Sequence, residues 1–213
     1  MRPYLVKTPR LLKALYTQSI WHINDHANSV YVTFDDGPHR EVTPFVLDTL
    51  KAYHAKATFF CIGKNVIENE DVYRRILEDG HSVGNHTFDH LNGWKTNNIQ
   101  YFRSIRQASL CIKSTMFRPP YGRISYSQAL GLQRMNPSMK IIMWDVLSGD
   151  FDVSLSPEAC LQNVMESTQP GSIIVFHDSA KARERLEYAL PRFLAFCKER
   201  GWNMKRLHFS NGS

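Results

Sequence analysis

No apolar run in this 213-residue chain approaches the ~18 residues that a membrane-spanning helix requires, so no membrane span is expected. Cysteine is scarce. Cys61, Cys111, Cys160 and Cys197 form no CxxC pair, and each sits among apolar residues. Buried free thiols in a reducing compartment are therefore expected, rather than disulfides or thiolate ligands. Repeats, low-complexity segments and linkers are also missing. With 43% hydrophobic and 22% charged residues, the composition argues against disorder and fits one domain large enough to bury a core. The opening stretch MRPYLVKTPRLLKALYTQ lacks the roughly 7–15-residue apolar core of a secretory signal. It predicts a cytoplasmic chain in which LLKALY is a short surface or packing helix. The net charge of +6 comes without a dense basic stripe. KARER is the one concentrated cluster, and on an amphipathic helix such a cluster is usually a solvated face. No nucleic-acid partner is expected.

What is present alternates. Strand-like runs SVYVTF, ATFFCIG, HSVGNH, MFRPP, IIMWDV and SIIVFH, with WNMKRL near the end, are short and rich in β-branched and aromatic residues. Between them lie helical patterns. TPFVLDTLKAYHA has Thr43 as a cap and Pro44 as its first position. Asn65 to Asp79 reads as one helix stopped by Gly80, Asn97 to Lys113 as a longer one, and Ser156-Pro157-Glu158 as the opening of another. Ala180 to Arg200 ends at Gly201. Residues 1–29 read as an N-terminal extension packed on a single domain of residues 30–213. Strands alternating with helices imply an α/β fold, a barrel or a doubly wound sheet of parallel strands. Sites on both gather at the carboxyl ends of strands. The residues to weigh are therefore Asp35-Asp36, Asn85-His86, Arg118, Asp150 and His177-Asp178.

At TFDDGP two acids close a strand. Neighbouring strand side chains point to opposite faces. At a turn shaped by Gly37 and Pro38, however, both carboxylates can reach one cavity. A shared cation would relieve their repulsion; an Asx turn ahead of a helix accounts for the pair equally well. GNHTFDH sets His86 and His90 four apart, a spacing that lets two imidazoles converge on one ion or that reflects two surface histidines. His81 reads as packed or hydrogen-bonded, and His22, His26, His39, His54 and His208 have no company that suggests a role. FRPPYG joins Arg118, suited to a carboxylate partner, to a stiff loop that can aim a backbone N–H; a structural turn with a surface arginine is the plainer reading. Asp150 is placed to pair with Arg118. His177 closes SIIVFH, where an imidazole can protonate a leaving group or sit satisfied in the core.

In that order, these motifs resemble the polysaccharide deacetylases, the carbohydrate esterase family 4 or NodB-homology domain, from about Val30 to Leu207. The resemblance implies a distorted (β/α)7-type barrel, with residues 30–213 as its catalytic domain. It implies hydrolysis of N-acetyl, less often O-acetyl, groups on a glycan such as chitooligosaccharide or peptidoglycan. On it, Asp35 is the base, and Asp36, His86 and His90 hold a divalent metal. Arg118 holds the base with Asp150 as its partner, Tyr121 supplies a backbone oxyanion donor, and His177 is the acid. The ligand types favour Zn²⁺, with Co²⁺, Ni²⁺ or Mn²⁺ compatible. Two departures stand out. Leu147 to Phe151 occupies the family's usual DxxDW, so Leu147 replaces the first Asp and Phe151 the Trp, and Val175 replaces a Leu two before the last His. Phe151, Val175 and Pro120 are expected to shape the acetyl pocket. The alternatives are a ring-amide hydrolase on the same fold, a group that commonly lacks a complete metal triad, and a catalytically silent glycan-binding domain. Binding alone would not require Asp35, Arg118 and His177 together.

Overall fold

A computed structural model describes residues 4–24 and 27–209; His26 lies outside the described residues, as do the first three residues of the extension. The chain runs through α1 (Arg10–Leu15), β1 (Ser19–Ile20), β2 (Ser29–Asp35), α2 (Val42–Ala52), β3 (Thr58–Cys61), α3 (Gly63–Glu68), α4 (Glu70–Glu78) and β4 (Ser82–Asn85). It continues through α5 (Asn98–Cys111), β5 (Met116–Phe117), α6 (Tyr126–Met135), β6 (Lys140–Ile142), β7 (Val146–Leu147), α7 (Pro157–Ser167), β8 (Ile173–His177), α8 (Arg183–Glu199) and β9 (Asn203–Met204). All strand pairs are parallel, in the order β1-β6-β5-β4-β3-β2-β8-β7, with β9 beside the start of β2. The sheet curls into the expected distorted α/β barrel.

Strand β2 is buried along its whole length, as a central parallel strand covered on both faces must be. Its alternation divides the core. Val30, Val32 and Phe34 pack outward with the helices, where Phe34 stacks on Phe59 at 5.0 Å, whereas Tyr31 joins Phe60, Met116, Ile142 and Ile173 inside the barrel. By the same period of two, Thr33 and Asp35 also face the interior.

The two ends of the strand order, β1 and β7, are joined through the segment ahead of them. Lys7 makes an antiparallel bridge to Val146, Leu147 N–H donates to Val6 O at 2.8 Å, and Thr8 N–H donates to Asp145 O at 3.0 Å. Beneath it the buried carboxylate of Asp145 accepts from Lys7 at 2.6 Å, from Ser172 Oγ at 2.6 Å and from Lys13.

Several elements differ from the sequence expectation. Asn65–Asp79 is two helices broken at Asn69, which takes φ −134° and ψ 53° and donates its side-chain amide to Pro38 O and Asn65 O. IIMWDV is two short strands, because the carbonyls of Ile142 and Met143 turn inward to Arg118. Thr43 does not cap α2. It lies in the first turn, where its hydroxyl accepts from His39 N–H and donates to Asp178. Helix α6 was not expected at all. The four cysteines are free, as the sequence predicts, and no helix among the described residues is long and apolar enough to cross a membrane.

Candidate active site

Strands β2, β4, β5 and β8 and the loop after β7 end around one cavity of about 910 Å³, lined among others by Asp35, Asp36, His86, His90, Tyr121 and His177. The strand register sets the first relation. Asp35 is the partner of His177 across the parallel β2–β8 pair, so two titratable side chains face the cavity at the same level.

Asp36 follows the last residue of β2 with φ 79°. That left-handed turn swings its carboxylate away from the strand alternation and towards the histidines. Asn65 Nδ2 fixes the turn by donating to Asp36 O at 2.7 Å. Gly37 is needed for space, since a Cβ there would fall inside the Asp178 carboxylate, which accepts Gly37 N–H at 3.0 Å. The sequence suggested Gly37 for its backbone freedom; the unusual angle belongs instead to Asp36, and Gly37 provides the close approach. The Gly37-Pro38 peptide is cis.

His86 and His90 enter from the loop after β4. Asn85 Oδ1 accepts Thr87 N–H at 2.8 Å, Thr87 Oγ1 accepts Leu91 N–H at 3.1 Å, and both Thr87 and His90 are left-handed. The Nδ1 of His86 lies 2.7 Å from Arg118 O. A carbonyl only accepts, so Nδ1 carries the hydrogen and Nε2 presents a lone pair. Burial pushes the His86 pKa down to about 4, which keeps that lone pair available. Asp36 Oδ1 stands 3.1 Å from His90 Nε2 and 3.7 Å from His86 Nε2. The ligand atoms of the three residues all lie within 4.8 Å of one another. Asp36 Oδ1 is buried without a hydrogen-bond partner, an unfavourable state for a carboxylate oxygen unless a cation shares it. Burial alone would raise the Asp36 pKa, but the facing histidines, including His177, hold it well below the usual carboxylate range. One carboxylate, two imidazoles and one orphaned oxygen fit a divalent metal site.

Arg118 is fully buried. Its Nη1 donates to Asp35 Oδ1 at 2.7 Å and to Thr33 Oγ1 at 2.7 Å, and Nε and Nη2 donate to Ile142 O and Met143 O. Phe60 lies under the guanidinium at 4.0 Å.

Asp150 is not the partner of Arg118. Its Oδ1 is 2.7 Å from His177 Nδ1, and its Oδ2 accepts His177 N–H at 2.7 Å. Four of the five guanidinium N–H groups are already taken by Asp35, Thr33 and the two carbonyls, whereas β8 brings His177 against the loop after β7. Burial by itself would lower the His177 pKa; Asp150, helped by the more distant Asp36 and Asp35, outweighs it and raises it to about 9.

Tyr121 sits in a turn over Pro120–Gly122 with φ 59°, and its ring centroid is 4.5 Å from that of His90. Phe151 and Val175 line the cavity, with the Phe151 ring edge-on to His177 at 5.1 Å. Pro120 is not among the lining residues, because as the first residue of that turn it is buried.

Sequence reasoning left Thr33, Asp178 and Arg185 without roles. Asp178 is buried, its pKa pushed up to about 8 by that burial, and it holds the Gly37 turn. Arg185, in the KARER cluster, is not on a solvated face. It is buried and donates to Asp150 O at 2.6 Å. Its helical spacing gives no hint of that, because the receiving carbonyl lies 35 residues away.

Residues 22–136 match the family profile described as polysaccharide deacetylase. The chain is 35% identical over 173 residues to a chitooligosaccharide deacetylase of Azorhizobium caulinodans, covering 76% of this chain and 79% of that one. It is 35% identical over 156 residues to a peptidoglycan-N-acetylglucosamine deacetylase of Bacillus cereus, covering 70% of this chain but spanning only 56% of the relative's length. The solved structure of the Bc1960 peptidoglycan N-acetylglucosamine deacetylase superposes with a TM-score of 0.83 at 30% identity, covering 92% of this chain and 93% of that one.

Proposed function

The chain belongs to the polysaccharide deacetylase family, and from that premise we propose that it is a metal-dependent hydrolase that removes N-acetyl, less often O-acetyl, groups from a glycan containing N-acetylglucosamine. The observation that carries this reading is the partnerless, buried Oδ1 of Asp36 facing two imidazoles, set between a carboxylate held by arginine and an imidazole held by a carboxylate.

An amide carbonyl is a poor electrophile, and water is a poor nucleophile at neutral pH. A divalent ion held by Asp36, His86 and His90, most simply Zn²⁺, supplies Lewis acidity to the acetyl carbonyl and to water. The remaining work falls to side chains. Arg118 donates to Asp35 Oδ1 and so orients it, and Asp35 can take a proton from the attacking water. The tetrahedral oxyanion that follows needs a donor, and the turn at Tyr121 offers its backbone N–H. His177, with Nδ1 committed to Asp150 and its pKa raised to about 9, is protonated at neutral pH. Its Nε2–H can pass to the departing nitrogen as the carbon–nitrogen bond breaks, releasing acetate and the free amine. Phe151 and Val175, lining the cavity, enclose the acetyl methyl.

The test is acetate release across chitooligosaccharides, peptidoglycan fragments and acetylated xylan, with and without chelator. Turnover that a chelator abolishes and Zn²⁺ or Co²⁺ restores is expected. Turnover indifferent to chelator would overturn the metal assignment. No acetate from any substrate, with glycan bound equally by the parent and by Asp35→Asn, would establish a silent binding domain.

A further inference from the structure

The cavity that holds the reaction centre continues along the segment ahead of β2, where Leu5, Leu12, Tyr16 and Trp21 line it together with Met143 and Trp144. Three observations bear on what that half receives. Helix α1 buries none of its residues, and Tyr16, which follows it, is only half-buried, so neither Leu12 nor Tyr16 is there to build the core. The segment is nevertheless fixed in place, by the bridge from Lys7 to Val146 and by the grip of Asp145 on Lys7 and Lys13.

The second observation concerns polarity. Thr8 Oγ1 donates to Trp144 O at 2.8 Å and Trp21 Nε1 donates to Tyr16 O at 3.2 Å. Those two groups are engaged within the protein and Leu5 and Leu12 have none, which leaves the Tyr16 and Ser19 hydroxyls and the Trp144 indole N–H as the few polar groups of this half. A sugar ring carries hydroxyls that need open partners, whereas a hydrocarbon needs only apolar surface.

Charge is the third. Apart from the reaction centre, the only charged side chains lining the cavity among the described residues are Lys95, Arg123 and Lys181, all exposed and all positive. Such a rim complements an anion on the ligand.

Resting on the deacetylase reading above, we propose that this site takes an amphiphilic acetamido sugar: the sugar in the reaction centre, an anionic linker such as a phosphate ester at the rim cations, and a hydrocarbon chain along Leu5, Leu12, Tyr16 and Trp21. Each methylene buried should strengthen binding about three- to fourfold, until the groove is filled.

The test compares N-acetylglucosamine 1-phosphate as its decyl and methyl esters, the uncharged decyl glycoside, and chitotetraose, all below micellar concentration. Binding is measured by calorimetry on Asp35→Asn, and KM on the parent. The decyl phosphate should bind at least about thirtyfold more tightly than the methyl phosphate, with the uncharged decyl glycoside weaker than the decyl phosphate. Leu12→Ser, on a helix that buries none of its residues, and Tyr16→Ser, at the half-buried position that follows it, should each shrink the decyl-to-methyl ratio several-fold. Equal binding of the two esters, or tighter binding of chitotetraose than of the decyl phosphate, would overturn the proposal. Failure of the underlying reading looks different: no ligand, chitotetraose included, would release acetate, while calorimetry would still decide whether the groove takes the chain.

Discussion

The two halves of the cleft treat their polar atoms in opposite ways. Around Asp36 they are buried and left open: an orphaned carboxylate oxygen and an imidazole whose Nε2 is bare. Among the described residues, six that are not glycine have positive φ, and four of them, Asp36, Thr87, His90 and Tyr121, stand at this end. Along the N-terminal wall, the threonine hydroxyl and the indole N–H are engaged and the buried acid is paired. Backbone strain gathers where a ligand will meet it, whereas on the wall the Thr8 hydroxyl, the Trp21 indole and the Asp145 carboxylate are satisfied from within. The first half gives up stability for chemistry; the second lends the sheet closure and offers a surface.

The largest expected effect tests the first half. Asp36→Gly removes a ligand of the proposed metal, so deacetylation should fall at least ~10³-fold and bound metal should vanish from elemental analysis. The same substitution suits a φ of 79° and deletes the orphaned oxygen. The metal-free variant should therefore be more stable than the metal-free parent, by ~1 kcal/mol. A lower melting temperature would mean that this half is not strained, and the contrast would go.

A smaller effect is expected at Asp150. Asp150→Asn removes the main group that raises the His177 pKa to about 9. Activity that needs the imidazolium falls as pH rises through that value, so the alkaline limb of kcat/KM should move to lower pH in the variant. Turnover at neutral pH should drop ~10²-fold. A cation held by Asp36 would offset part of the field from that carboxylate, so the parent's limb is expected at or below about 9. An unmoved limb would show that another group sets it.

Much of this was legible before any coordinates, and the reason is local. Asp35, Asp36, His86 and His177 stand where apolar runs stop, and a parallel barrel gathers strand ends. What the sequence could not convey was pairing. Asp150 and His177 are 27 residues apart, and Arg118 and Asp35 are 83 apart. Chain order shows that all four meet, but Thr33 Oγ1 and two carbonyls, invisible as partners in sequence, decide which acid takes the arginine. Helix α6 escaped because Gly131 interrupts it and Gln128 is buried; its signal was the Ser125–Gln128 capping box. Of the wall, the short helix at LLKALY was expected, but its place along the cavity was not, since an apolar helix that lines a groove reads in sequence like one that packs.

The smallest effect falls on the wall, and its direction should be the reverse of that at Asp36. Asp145 is buried. Burial pushes its pKa up, but Lys13, Lys7 and Ser172 hold it below the usual carboxylate range. Asp145→Asn keeps the shape and removes the charge. The lysines are partly exposed, at 39% and 22%, and water recovers part of what they lose, so the stability lost should be only ~1–2 kcal/mol. The sign with pH follows from the depressed pKa. The contribution of Asp145 is present above its unfolded value of ~3.9 and disappears as pH falls through the lower folded one. The melting gap between parent and variant should be open at pH 7 and close towards pH 3. At pH 7 the variant should lose stability with far less loss of turnover than Asp36→Gly suffers. A collapse of turnover as deep as that of Asp36→Gly would show that the wall and the reaction centre are one mechanical unit, and that their division of polarity does not divide their roles.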